Sequence, residues 1–185
     1  MKMNSFSQLD RLGRNLGVVC AMAASLAIGN ALASDTSCHA FVLAGCSVGT
    51  PLSAAKDLFP SAQLEPQTDG TVVMTVEVRD ALMGADLGTG KLRVVFDQKS
   101  TAREVWFLAD SNRTEEDLLN AVKKIWGDSV EIHHYHYPGK GGRPRIYAMN
   151  ASWGTSCAIK AKLNVVVEEK SARKSVAVGL VREKK

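Results

Sequence analysis

Residues 112–127 read NRTEEDLLNAVKKIWG. Thr114 is an N-cap residue, and Asp117 stands where the reciprocal capping acid belongs. Leu118, Leu119, Val122, Ile125 and Trp126 recur at helical spacing and form one apolar stripe. Glu115, Glu116 and Asp117 crowd the first turn, where acids complement the helix dipole. Gly127 is the expected stop. The stretch predicts a helix between Thr114 and Gly127, set in a chain that otherwise reads mostly as strands.

Upstream, Thr50 is an N-cap candidate and Pro51 suits a first helical turn. Leu52, Ala55, Leu58 and Phe59 follow at helical spacing, and Pro60 ends the helix after about two turns. A loop runs through Pro66 and Thr68-Asp69-Gly70. Residues 71–79, 91–96 and 104–108 are rich in β-branched and aromatic side chains, with Gly84, Gly88 and Gly90 punctuating a turn region between the first two. They read as an antiparallel meander. Downstream, residues 130–137, 146–153, 158–167 and 175–182 read as a second meander. The order helix, strands, helix, strands predicts an α+β fold. One antiparallel sheet would carry helices on one face, in two related helix-plus-strands units.

The first unit opens Gly49-Thr50-Pro51-Leu52-Ser53-Ala54-Ala55-Lys56-Asp57-Leu58-Phe59-Pro60. This Gly-Thr-x-Leu-x-x-Ala-x-x-Leu-Phe-Pro pattern resembles the repeat start of the β-lactamase-inhibitor-protein-like fold, which small envelope lipoproteins of the outer-membrane assembly machinery share. The resemblance covers most of residues 46–182 in element order. It implies a non-catalytic binder that works through the exposed face of its sheet.

The N-terminus carries Lys2, Arg11 and Arg14, then a largely apolar run from Leu16 to Leu32 that ends in Ala31-Leu32-Ala33. That is the pattern of a secretory signal over residues 1–33, leaving a single mature domain over 34–185 in the periplasm of a bacterium or outside the cell. Gly29 and Asn30 interrupt the run, which falls short of the ~20 apolar residues of a spanning helix. A second processing motif, Leu43-Ala44-Gly45-Cys46, could mark lipidation of Cys46. Polar Ser34, Asp35, Thr36, Ser37 and His39 separate it from the apolar run, which argues against insertion of that segment. The alternative is that Phe41, Val42 and Leu43 are core residues. Only with a lipid on Cys46 would the protein be membrane-bound.

A mature chain of about 150 residues is of single-domain size. Loss of Lys2, Arg11, Arg14 and Asp10 takes two positive charges from the formal net charge of +4. The remainder is too mild to suggest a nucleic-acid partner. Cys38, Cys46 and Cys157 remain in an oxidising compartment, which predicts one disulfide and one leftover thiol. Cys38 with Cys46 would close a short loop, and Cys46 with Cys157 would join the front of the domain to its back. Spacing does not select between them.

Residues that bear chemistry concentrate between 133 and 145. On a strand, His134 and His136 share a face, a spacing that could grip zinc, copper or nickel if a third ligand arrived from a neighbouring strand. The plainer reading is a solvated strand face, and no cofactor is expected. Pro138-Gly139-Lys140-Gly141-Gly142-Arg143-Pro144-Arg145 is a basic, glycine-rich turn. With Tyr135 and Tyr137, its Lys140, Arg143 and Arg145 are the candidate binding residues, suited to an acidic partner surface. It lacks the Lys-Ser/Thr ending of a phosphate loop. Gly154-Thr155-Ser156-Cys157 is no nucleophile elbow, and Cys157 as a thiol nucleophile is the weaker reading beside a core or disulfide role. Trp106, Trp126 and Trp153 have apolar flanks and read as core. No catalytic constellation is recognisable. The sequence therefore predicts a secreted, non-catalytic protein that binds a protein or an envelope component, as an inhibitor or an assembly factor. The alternatives are a periplasmic metal binder using His134 and His136, or a lipid-anchored envelope protein.

Overall fold

Eight strands form one sheet in the order β1-β2-β3-β4-β8-β7-β6-β5, every neighbouring pair antiparallel. The computed structural model describes residues 41–128, 130–139, 144–154, 158–169 and 174–183. Along the chain the elements are α1 (Leu52–Leu58), β1 (Gln63–Pro66), β2 (Val72–Arg79), β3 (Thr89–Phe96) and β4 (Ala102–Ser111). Then come α2 (Glu115–Trp126), β5 (Glu131–Tyr137), β6 (Ile146–Trp153), β7 (Ile159–Glu168) and β8 (Lys174–Arg182). Each half is a helix followed by a four-stranded meander, and the halves meet where β4 pairs with β8.

This corrects the α+β expectation. The helices are only seven and twelve residues long, and the sheet dominates, so the fold lies closer to all-β. The stretch read as a loop before Thr71 contains β1, which pairs through Gln63↔Thr75 to Pro66↔Val72. Strand β4 runs through ten residues rather than five, because Asp110 and Ser111 still find ladder partners in Ser175 and Lys174. Polar ends of strands leave no hydrophobic period to read, yet their backbones pair all the same.

The two helices begin differently. At α2 the expected capping box forms. The Asp117 N–H donates to Thr114 Oγ1 at 3.1 Å and the Thr114 N–H to Asp117 Oδ2 at 3.3 Å, while the Thr114 hydroxyl also donates to Asp117 Oδ2 at 2.6 Å. At α1 the cap position belongs to Pro51, which offers no side-chain bond. Thr50 Oγ1 instead accepts the Ser47 N–H at 3.0 Å. Neighbouring backbone holds this helix start: Pro51 bridges Thr101, and the Leu52 N–H donates to Ser100 O at 2.9 Å.

One face of the sheet is buried under the helices and the 41–48 and 81–87 segments. Met74, Leu92, Val94, Phe96, Val105, Phe107, Leu163, Val165, Val178 and Leu180 point into this core. From α2 it takes Leu118, Ala121, Val122 and Trp126, while Ile125, expected in the stripe, is 39% exposed at its margin. Trp126 stacks edge-on against both Phe41 and Trp153, with ring centroids 5.5 and 5.4 Å apart. The Trp153 indole N–H donates to Gly127 O at 2.8 Å, which fixes the end of α2 to β6. Arg113 holds the 81–87 segment against the start of α2. Its guanidinium donates to Ala85 O at 2.7 Å, Asp86 O at 3.1 Å and Asp117 O at 3.1 Å. No helix among the described residues is long and apolar enough to cross a membrane.

Candidate binding face

The opposite face of the sheet is largely half-buried or exposed, except where Val73 and Val95 are buried near the 67–71 turn. Because paired residues of an antiparallel ladder point to the same side, the register writes out this face row by row. One row crosses the whole sheet through Gln63, Thr75, Arg93, Trp106, Gly179, Lys162, Ser152 and Glu131. The next runs through Glu77, Lys91, Leu108, Ala177, Asn164, Asn150 and His133. A third joins Asp110, Ser175, Val166, Ala148 and Tyr135. The face is thus polar and mixed in charge, with apolar side chains set into it.

Three features give it relief. Trp106, read from sequence as core, lies on this face at the centre of the sheet. Its indole covers Gly179, so that a Cβ at Gly179 would collide with the ring. The indole N–H donates to Glu104 Oε2 at 3.2 Å, and the side chain is half-buried. Beside it, the small side chains of Ser175 and Ala177 floor an open depression of about 490 Å³, walled by Glu77, Lys91, Leu108, Asp110, Asn164 and Val166. Leu108 is 42% exposed there. At the far end, His133, Tyr135 and Tyr137 climb the open side of β5. Tyr135 and Tyr137 are stacked, with centroids 6.3 Å apart and planes 15° from parallel, and His133 tilts against Tyr135 at 6.5 Å.

Several sequence candidates meet here and others do not. Tyr135 and Tyr137 are exposed on the open face. Arg145, at the foot of β6, is engaged with the Glu169 carboxylate at 3.4 Å, an exposed pair that contributes little to stability. Lys140 and Arg143 lie outside the described residues, as do Cys38, Cys157 and the whole 1–33 leader. His134 and His136 share a face as alternation requires, but it is the helix side. There they line a cleft with Glu115, Tyr147, Val167 and Lys174, and His136 stacks on Tyr147 at 4.7 Å. No group of three or more His, Cys, Asp or Glu that could hold a metal occurs among the described residues.

Cys46 is the one cysteine among the described residues. It is fully buried with a free thiol, and burial pushes that thiol above its ordinary range. Its surroundings are built from the processing motif itself. Leu43 and Cys46 exchange two backbone hydrogen bonds of 2.8 Å, and the Ala44 N–H donates to Ala81 O at 2.6 Å. Ala44 and Gly45 carry the left-handed φ of 49° and 81° that this turn needs.

Sequence reading missed Trp106 and Leu108 as surface residues. Alternation did hold the signal: Glu104, Trp106, Leu108 and Asp110 share the parity of the polar positions. The apolar Val105-Trp106-Phe107-Leu108 run masked it. No family model, curated protein or solved structure is found to match the chain.

Proposed function

We propose that the protein is a non-catalytic binder of the bacterial envelope that captures another macromolecule, a protein or an envelope component, on the open face of its sheet. One observation carries this reading. A broad sheet face bears an exposed Tyr135–Tyr137 stack, a central Trp106 and a half-exposed Leu108, framed by Glu77, Lys91, Arg93, Asp110 and Lys162. Aromatic anchors inside a polar, charged surround are what protein interfaces use, since the rings supply contact area and the charges supply orientation. Mixed charge on this face favours a protein over nucleic acid. The doubled helix-plus-meander order and the 49–60 opening support kinship with the β-lactamase-inhibitor-protein-like group. Inhibition of an enzyme and assistance in envelope assembly are the two roles that kinship suggests.

The burial of Phe41, Leu43 and Cys46 supports a soluble form whose N-terminus lies upstream of Phe41. A lipid on Cys46 would remove Phe41 and Leu43 from the core and ask a buried side chain to face the bilayer.

Site-directed photocrosslinking in the native host tests the binding face. A reactive side chain at Leu108 or Tyr135 should trap one defined partner, whereas the same group at Lys56 on α1 should not. Tyr135→Ala with Tyr137→Ala should lower the yield at Leu108 at least tenfold, as loss of about 1.4 kcal/mol or more would require. Equal products from all three positions, or none from any, would remove the open face from consideration.

A further inference from the structure

We propose that β5 is a self-pairing edge, through which two copies of the chain join antiparallel about a two-fold axis into one continuous sheet. The two edges of the sheet differ in how they are protected. The β1 edge is four residues long and carries Glu65 and Pro66, a charge and a residue that cannot donate to a ladder. The β5 edge is seven residues long and every one is exposed. Its pairing with β6 runs without a bulge from Glu131↔Ser152 to Tyr137↔Ile146. It contains no lysine, arginine or proline, and its one formal charge, Glu131, stands at the end of the strand.

Its sequence, Glu-Ile-His-His-Tyr-His-Tyr, selects the occupant and the register. A two-fold axis normal to the sheet keeps each copy's open face on the same side, so only residues of like parity can sit opposite one another. The register that pairs all seven residues places His134 opposite its own copy. His133 then faces Tyr135, Ile132 faces His136, and Glu131 faces Tyr137. The one formally charged side chain of the strand thereby meets a phenol that can donate to it. Parallel, in-register pairing would instead set Glu131 against Glu131. The His133–Tyr135–Tyr137 ladder would run on across the junction as aromatic pairs of the kind that stabilise antiparallel strands. The inference does not depend on partner capture by the open face, which stays uncovered in such a dimer.

A single strand pair is a small interface, so association belongs at high protein concentration. Sedimentation equilibrium of the protein recovered from its host should show a mass rising from one chain towards two as its concentration is raised towards about 1 mM, the regime of a weak contact. His134→Lys sets two ammonium groups face to face on the axis, and His134→Glu sets two carboxylates there. Each variant alone should remain a monomer while keeping the circular dichroism of the parent. Mixed in equal amounts they should form a heterodimer at lower concentration than the parent dimerises. Amide exchange should slow at 131–137 as the dimer fills. Three results would each overturn the proposal: a parent that keeps one-chain mass throughout, a folded Lys/Glu mixture that fails to associate, or a dimer whose protected amides lie elsewhere. A parent that stays monomeric while His134→Lys weakens capture of a foreign extended peptide would also overturn it.

Discussion

The indole of Trp106 and the bare Cα of Gly179 form one packing unit on the open face. Glycine is demanded there by space, because a methyl group at 179 would overlap the ring. Gly179→Ala must displace the indole, and overpacking of this kind costs about 1–3 kcal/mol. Chemical denaturation should show that loss, together with a changed tryptophan emission. In a Trp106→Ala background the same substitution should cost much less, since the clash is gone. An equal cost in both backgrounds would mean that Gly179 is needed for its backbone and not for the ring above it. Asp117 offers a test of the α2 cap. The Thr114 hydroxyl and, more weakly, its N–H donate to this carboxylate and hold it below its usual value of 3.8. A depressed folded value means that the stabilisation is present above pH 3.8 and is lost as pH falls through the lower folded value. Asp117→Asn should therefore be less stable than the parent at neutral pH. The gap should shrink in acid and vanish once both states are protonated. A gap that persists in acid would assign the difference to geometry instead of charge.

At the scale of elements, α2 was the most legible part of the chain, because capping box, stripe and terminal glycine all name the same boundaries. Strand β6 was legible to the residue, with Ile146 and Trp153 bounding it in sequence and structure alike. Strand β1 was not, because Gln63, Glu65 and Pro66 carry no strand preference and pair only because β2 offers an edge. Tyr135 and Tyr137 could be placed on one face by parity alone. That this face is the open one depends on where α2 docks, and no local pattern records that. Arg113 was invisible as well: its three carbonyl acceptors come from the 81–87 segment and from α2, and only the fold brings them together. Removing it leaves Ala85 and Asp86 carbonyls without their charged donor. Arg113→Ala should cost about 1.5–3 kcal/mol, the range for hydrogen bonds to a charged group. Lysine, with a single nitrogen in place of the planar fork, should recover only part of it. Limited proteolysis should localise the effect, with new cleavage near Met83, which is already 87% exposed. A stability loss without new cleavage there would detach Arg113 from the loop.

For the molecule as a whole, the decisive segment is the one that enters the fold first. Phe41 and Leu43 are 4% and 0% exposed, and Cys46 is 0% exposed. Phe41 completes the Phe41–Trp126–Trp153 stack, which ties the entry of the chain to α2 and to β6. Deleting a buried aromatic costs about 3–5 kcal/mol and a buried leucine about 2–5 kcal/mol. Together these rival the whole stability of an ordinary domain, about 5–15 kcal/mol. A chain that begins at Ser34 should unfold cooperatively, whereas one that begins at Cys46 should lose most of its stability or fail to fold. The intact mass of protein from its own host carries the same argument into the cell. A mass that starts at Ser34 places the protein in solution and makes its partners soluble or surface-borne. A mass that starts at Cys46 with added acyl chains would require the domain to hold together without Phe41 and Leu43. The packing around Trp126 would then have to differ from the arrangement described above, and membrane anchoring would become the first fact about its function.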